Sequence, residues 1–417
     1  MRPPFMRSVL SDAVIHVRSG LTPIVIVVGI IGGLLGAAYI AVLHLLTEVL
    51  GPGHNSGLTQ IFIFVAVGAV VAMITKIGGE TGDVELLVGN IHVLGGAEDV
   101  RSLRSLIPAS LLCIAAGAGM GPEAPMTQTA GTLGTVVGTR LNRPMTDVRT
   151  LTITGMAAGL TILFGAPLGS ALFALEILHR RGLQYYEALL PAIIGSLCGL
   201  GVYTAVGDLG IKPIWSFPPV PTLHARDLLI AVVLGLAGAL GAVVFAKVAA
   251  IMSWFFKKVP TSPRYVLGGL ALGLLGLWSP YALTNGKIQI EAFPDLRLTA
   301  GVLAVATLAK LLGTTVTMAS GWKGGFIIPL FFMGATLGQL AHIWFPGVHV
   351  SILMACLMIA LNVGVTKTPL GTTLVITEMT GLTLLPVTII AAVVALVATN
   401  SVNVIDTQRP RGAGQET

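Results

Sequence analysis

Charge is what this sequence has least of. Only 10% of its 417 residues are Asp, Glu, Lys or Arg, against about a quarter in an ordinary soluble domain. A water-soluble fold of this length cannot cover its surface with so few charged groups. Cysteine is nearly absent as well. Cys113, Cys198 and Cys356 each sit in an apolar run, which reads as small buried side chains and excludes a disulfide framework or a thiolate metal site. No secretory leader is apparent, because the first apolar run, from Leu21, is too long for a signal core and no small-residue cleavage site follows it. No clustered basic face accompanies the net charge of +6, so nucleic acid is not an expected partner. None of the eight histidines forms a recognisable motif with a serine, which argues against an intramembrane enzyme. No cofactor is implied.

What fills the chain instead is apolar: 54% hydrophobic residues and a mean hydropathy of +0.89. About 20 apolar residues in a helix span the hydrocarbon layer. Leu21–His44, Leu58–Thr75 and Leu228–Phe245 carry no interior charge, and shorter runs follow at Val302–Ala309, Phe326–Ala341, Ser351–Val365 and Leu384–Ala398. The expectation is an all-α polytopic membrane protein of the cell membrane. Arg2, Arg7 and Arg18 precede the first run, and Arg409 and Arg411 follow the last. Basic flanks favour the cytoplasm, so both termini are expected there.

The sequence repeats itself. APLGSALFALE around Pro167 matches TPLGTTLVITE around Pro369. Each has Pro-Leu-Gly, six residues, then Glu, ending at Glu176 and Glu378. Upstream, GPEAP ends at Pro125 and GFIIP at Pro329, so the two pairs lie 202 and 204 residues apart. Two ordered matches at nearly one offset predict two structural repeats, commonly inverted in transport proteins. One transmembrane domain over residues 1–417 is expected, with repeats over about 1–210 and 225–417. The proline-rich stretch 206–226 would be the linker.

Within each repeat a glycine-rich break precedes a proline: Gly119–Gly121 before Pro122, and Gly321–Gly325 before Pro329. Proline suits the first turn of a helix. Non-helical backbone at membrane depth survives only when packed in protein or lining a wet cavity. The helix starts so created carry unpaired N–H groups and a partial positive charge, which makes them anion sites. Two of them meeting at the repeat junction would hold a small anion without a full positive charge. Glu123 stands in the first turn of one, and a carboxylate there can occupy the anion's place until protonated. Glu176, followed by His179, Arg180 and Arg181, is expected near a membrane face, where it is an interfacial ion-pair partner or part of a proton path.

These residues resemble the CLC family of chloride channels and proton-coupled chloride transporters over about Gly78 to Asp406, and AAGLTILFGAPLGSALFALE is the most specific stretch. The resemblance implies a CLC-like fold with inverted repeats and broken helices, a homodimer with one pore per subunit, and chloride or a similar small anion as cargo. Gly121-Pro122-Glu123-Ala124-Pro125 is similar to the family's gating-glutamate motif, which makes Glu123 the gate. Gly325-Phe326-Ile327-Ile328-Pro329 is similar to its anion loop, with Phe326 and Ile327 as backbone donors. Three positions depart from the family. Gly82 replaces an anion-binding serine, Ile405 an anion-coordinating tyrosine, and Ile177 the internal glutamate of many proton-coupled members. The last departure favours a channel, with a proton-coupled chloride or fluoride antiporter as the alternative.

Overall fold

The computed structural model describes residues 20–53, 55, 57–79, 84–96, 100–179, 183, 185–207, 214–215, 217–296, 298–402, 404–405 and 407–408. These form sixteen α-helices and no β-strand. The first eight are α1 (Thr22–Leu50), α2 (Gly57–Gly78), α3 (Val84–Leu94), α4 (Leu103–Ala115), α5 (Glu123–Arg140), α6 (Met145–Phe164), α7 (Pro167–Glu176) and α8 (Leu189–Gly207). The second eight are α9 (Ala225–Lys257), α10 (Thr261–Trp278), α11 (Lys287–Ala292), α12 (Ala300–Ala319), α13 (Ile327–Trp344), α14 (Val350–Thr366), α15 (Pro369–Thr380) and α16 (Leu385–Ala398). Among the described residues, six helical stretches are long and apolar enough to cross a membrane. On α9, Leu229, Val233, Leu236 and Leu240 are all more than half exposed. Spaced three or four apart, they form one helix face, and an apolar face this bare is one that lipid or another protein covers.

The repeat seen in sequence is a repeat of helices. α5 and α13 are displaced by 204 residues at both ends, and the helices before them, α4 and α12, end 204 residues apart at Ala115 and Ala319. Gly117 and Gly321, again 204 apart, both have positive φ, +102° and +85°. That left-handed backbone is open to glycine at little cost, and it turns each chain out of its helix into the break.

α7 and α15 carry the Pro-Leu-Gly motifs and cross antiparallel at the junction. A Cβ added at Gly169 would lie 2.7 Å from Val375 Cα, and one added at Gly371 would lie 2.5 Å from Phe173 Cα. Only glycine permits this approach. The helix ends are tied reciprocally. Glu176, at the end of α7, accepts the N–H groups of Leu370 (3.2 Å) and Gly371 (2.6 Å) at the start of α15. Glu378, near the end of α15, accepts those of Leu168 (3.3 Å) and Gly169 (2.8 Å) at the start of α7. Each carboxylate satisfies orphan donors and meets the positive end of the opposite helix. Glu176 is therefore buried in the junction, bonded to the start of the opposite helix. Arg180 and Arg181 lie outside the described residues.

Two fully buried lysines are also accounted for by backbone. Lys310 Nζ donates to the carbonyls of Leu283 and Thr284, both at 2.7 Å. Lys367 Nζ donates to those of Gly364 and Thr399, also at 2.7 Å. Ammonium groups engaged this way bind carbonyl oxygens and not a diffusible anion.

Candidate functional site

The two glycine breaks meet in the centre of the molecule. Gly121 N–H donates to Gly325 O (2.8 Å) and Gly325 N–H to Gly121 O (2.6 Å), forming an isolated antiparallel bridge. Two hydrogen bonds are all the pairing there is, but they lock the breaks together where stray backbone polar groups would be costly. Around them the breaks are stitched to the helices behind. Thr314 Oγ1 donates to Gly119 O (2.8 Å), and Gly119 N–H donates to Thr317 Oγ1 (3.2 Å).

From this bridge α5 and α13 start in opposite repeats. Glu123 is the first residue of α5, and its carboxylate folds back across the bridge. Oε1 accepts the N–H of Ile328, in the first turn of α13, at 2.7 Å. Oε2 is buried and accepts no hydrogen bond among the described residues. The carboxylate lies so close over the glycines that a Cβ at Gly325 would be 2.6 Å from Oε2, and one at Gly121 would be 2.8 Å from Glu123 Cδ. Gly121 and Gly325 thus do two jobs: they pair, and they make room for the carboxylate. The carboxyl group, 1% exposed, rests on a helix N-terminus with one oxygen left over. That is the geometry a small free anion would need there.

A small cavity of about 30 Å³ adjoins Glu123, Phe326, Ile327 and Ile405. It is large enough for one water-sized particle. Glu123, Gly325, Phe326, Ile327 and Ile405 are thus brought together at its wall, with Gly121 one hydrogen-bonded step away. Gly82 lies outside the described residues. Glu176 is not a wall residue; its neighbour Ile177 is. Ile405 presents an apolar side chain, 2% exposed. The hydroxyls that do line the cavity, of Thr127 and Thr366, are engaged with their own helices, donating to Glu123 O (2.6 Å) and Asn362 O (2.9 Å). A second cavity of about 190 Å³ lies beyond Ala124, Phe326 and Ile405, with Lys323 and Gln128 on its wall. These three residues separate the two spaces.

Two features of the site were not named from the sequence. The amide that meets Glu123 is that of Ile328, one residue past the Phe326–Ile327 pair; a backbone donor leaves no mark in side-chain identity. Lys287, at the start of α11, lies within electrostatic reach of Glu123, and its Nζ also approaches Leu163 O (3.4 Å). Lys287 is remote from Glu123 in sequence and belongs to no motif, so only the fold reveals it.

Comparison with known proteins agrees with this architecture. Among solved structures, a CLC-type fluoride/proton antiporter superposes with a TM-score of 0.80 at 23% identity, over 94% of this chain and 98% of that one. A slow cyanobacterial Cl−/H+ antiporter gives 0.79 at 20% identity, over 91% and 94%. In sequence, the chain is 30% identical over 308 residues to the voltage-gated ClC-type chloride channel ClcB of Escherichia coli (strain SMS-3-5 / SECEC), covering 71% of this chain and 72% of the relative. The family model described as voltage gated chloride channel matches residues 93–400. With its paired glycine breaks, its inverted repeats and a family match across most of its length, this chain belongs to the voltage-gated chloride channel family, the CLC proteins.

Proposed function

We propose that the protein carries a halide-sized anion, chloride before others, across the cell membrane, and that Glu123 gates the path. The observation that supports this is the 2.7 Å hydrogen bond from Ile328 N–H to the buried Glu123 carboxylate. The carboxylate is an anion held by a helix N-terminus of the opposite repeat, so a free anion and Glu123 compete for the same donor. Protonation turns the carboxylate into a neutral acid, weakens its hold and frees the site. Backbone dipoles bind an ion firmly enough to admit it and loosely enough to release it. CLC proteins are channels and transporters, not enzymes.

The working unit proposed is a homodimer with one pore per subunit, multi-pass, with both termini in the cytoplasm. Between mechanisms, Ile177 in place of a carboxylate favours a gated channel, as the curated relatives are named. Proton-coupled exchange is the second reading.

The test is chloride efflux from liposomes holding purified protein, at neutral and acid pH, for wild type and Glu123→Gln. Flux should rise as pH falls in wild type and be pH-independent in the variant. A variant that keeps the wild-type pH dependence removes Glu123 from the gate. Reversal potentials under opposed chloride and proton gradients separate channel from exchanger.

A further inference from the structure

Lys310 is a cation buried in the middle of α12, a helix long and apolar enough to cross a membrane. An ionisable side chain at such depth is a candidate for function by default. Lys310 forms no ion pair among the described residues. Its ammonium is spent on one turn of the chain. Nζ donates to the carbonyls of Leu283 and Thr284, both at 2.7 Å, and lies 4.7 Å from the centre of the Phe332 ring of α13.

The turn it holds is strained. Thr284 has a φ of +58°, left-handed backbone that a β-branched residue keeps only where its surroundings impose it. Its N–H donates to Gly117 O (2.9 Å), so the turn is fastened to the break that leads to Glu123. In the other direction it runs into α11. Asn285 Oδ1 accepts the N–H of Lys287 (3.0 Å). Gly286 has a φ of +88°, and a Cβ there would collide with the Phe332 ring. Phe332 thus packs on the turn and on the ammonium together, and the turn sets where Lys287 begins.

Lys287 lies within electrostatic reach of Glu291, one turn on along its own helix, and of Glu123 on α5. Glu291 is exposed, whereas Glu123 is buried, so the two carboxylates draw the lysine in different directions. Two further titratable groups are near. Tyr39 of α1 is within electrostatic reach of Glu123, with its hydroxyl bonded to Ser110 Oγ (2.8 Å). Tyr281 lies behind Phe332, ring centroids 6.1 Å apart.

We propose that Lys310 is a positioning residue for the gate: it pins the Leu283–Thr284 turn, and the turn keeps Lys287 within reach of Glu123 as well as of Glu291. The inference rests on the reading of Glu123 as a protonatable gate, and it names what sets the hold on the charged carboxylate. A cation near a carboxylate favours its charged form. With the pin gone, Thr284 relaxes out of its left-handed backbone. Lys287 then keeps Glu291, its neighbour on the helix surface, and loses Glu123. Glu123 holds its charge less firmly, and flux rises at a higher pH.

The test measures chloride efflux from liposomes across a pH series for wild type, Lys310→Met, Lys287→Met and the double variant. Lys310→Met should move the midpoint of the flux–pH curve up by about half a pH unit or more, in the direction of Lys287→Met. The double variant should move it no further than Lys287→Met alone, because both act through one contact. A lysine that only supports the fold would lower Tm and leave the midpoint in place. A Lys310→Met midpoint at the wild-type value, or shifts that add in the double variant, overturns the pin. Asn285→Ala loosens the same turn from its α11 end and carries the test if Lys310→Met does not assemble; its midpoint should also rise, and an unmoved one overturns the proposal. Glu123→Gln with wild-type pH dependence of chloride flux strikes the gate instead, so the two failures are told apart.

Discussion

Replacing Glu123 by glutamine isolates charge from shape. Glutamine keeps a carbonyl oxygen where Oε1 accepts from Ile328 at 2.7 Å, so the hydrogen bond can persist as a neutral one. A hydrogen bond to a charged group contributes about 1.5–3 kcal/mol and a neutral one about 0.5–1.5 kcal/mol. The variant side chain therefore competes with an incoming anion about 1–1.5 kcal/mol less well, or roughly five- to tenfold in occupancy. Chloride efflux at neutral pH should rise by about that factor. The slope against pH should vanish, because nothing at the site is left to protonate. The sign follows from competition: the carboxylate holds the site when charged, so wild-type flux increases as pH falls. The assay is efflux from liposomes at two pH values with equal protein incorporation. A variant slower than wild type at neutral pH, with its pH slope intact, would refute the competition between carboxylate and anion.

Four further outcomes follow from the same geometry. Gly325→Ala places a methyl group 2.6 Å from Glu123 Oε2 and 2.9 Å from Ala124 N; overpacking of this kind costs about 1–3 kcal/mol, read as a lower Tm in detergent together with a weaker pH slope of flux. Lys287→Met removes a cation that favours the charged carboxylate, so the flux–pH curve should move to higher pH, measured by efflux across a pH series. Glu176→Gln weakens two hydrogen bonds at the repeat junction and should cost about 1–2 kcal/mol, with a smaller loss for the more exposed Glu378→Gln, both read by thermal unfolding. The cavity beside Ile405 offers no free hydroxyl, and small anions lose the most hydration energy on burial, so chloride should pass faster than fluoride; Ile405→Tyr should narrow that ratio in parallel efflux measurements.

Much of this architecture was legible because proline and glycine punctuate it. Pro122, Pro125 and Pro329 mark helix starts, and two matched pairs, Pro167 with Pro369 and Pro125 with Pro329, exposed the repeat. Glu123 was conspicuous as an ionisable residue inside an apolar run, since such residues are rare at depth. The Ile328 donor was not legible, because a backbone N–H looks the same beneath any side chain. The partners of Glu176 and Glu378 were hidden for another reason. Both glutamates end the repeat motif, but which helix each one caps depends on the antiparallel crossing at Gly169 and Gly371, and that exists only after folding. His92 and His179 are far apart in the sequence and meet only when α3 and the turn after α7 come together.

The two breaks share landmarks and differ at several positions between them, and the difference at Glu123 is the one that sets a carboxylate over the bridge. Gly117 matches Gly321, Gly121 matches Gly325 and Pro125 matches Pro329, each at one offset. At that same offset Glu123 matches Ile327. The matched residues build a shared frame: two turns, two helix starts and one bridge of two hydrogen bonds. Had the mismatch been a second glutamate, two carboxylates would face one another across the bridge, and like charges that close do not both ionise. Had both been isoleucine, the pocket would have no titratable plug. One carboxylate in a doubled frame leaves the opposite helix start, with Ile328 N–H, as its docking place. On the gating proposed above, the two helix starts are the anion-seeking ends, and the departure from symmetry at Glu123 makes one of them a lid on the other. On this argument Ile327→Glu should disturb the site more than Glu123→Gln does. It adds a second carboxylate to a frame with room for one, so chloride flux at neutral pH should fall and recover on acidification more steeply than in wild type. A flux–pH curve unchanged from wild type would show that position 327 does not face the site.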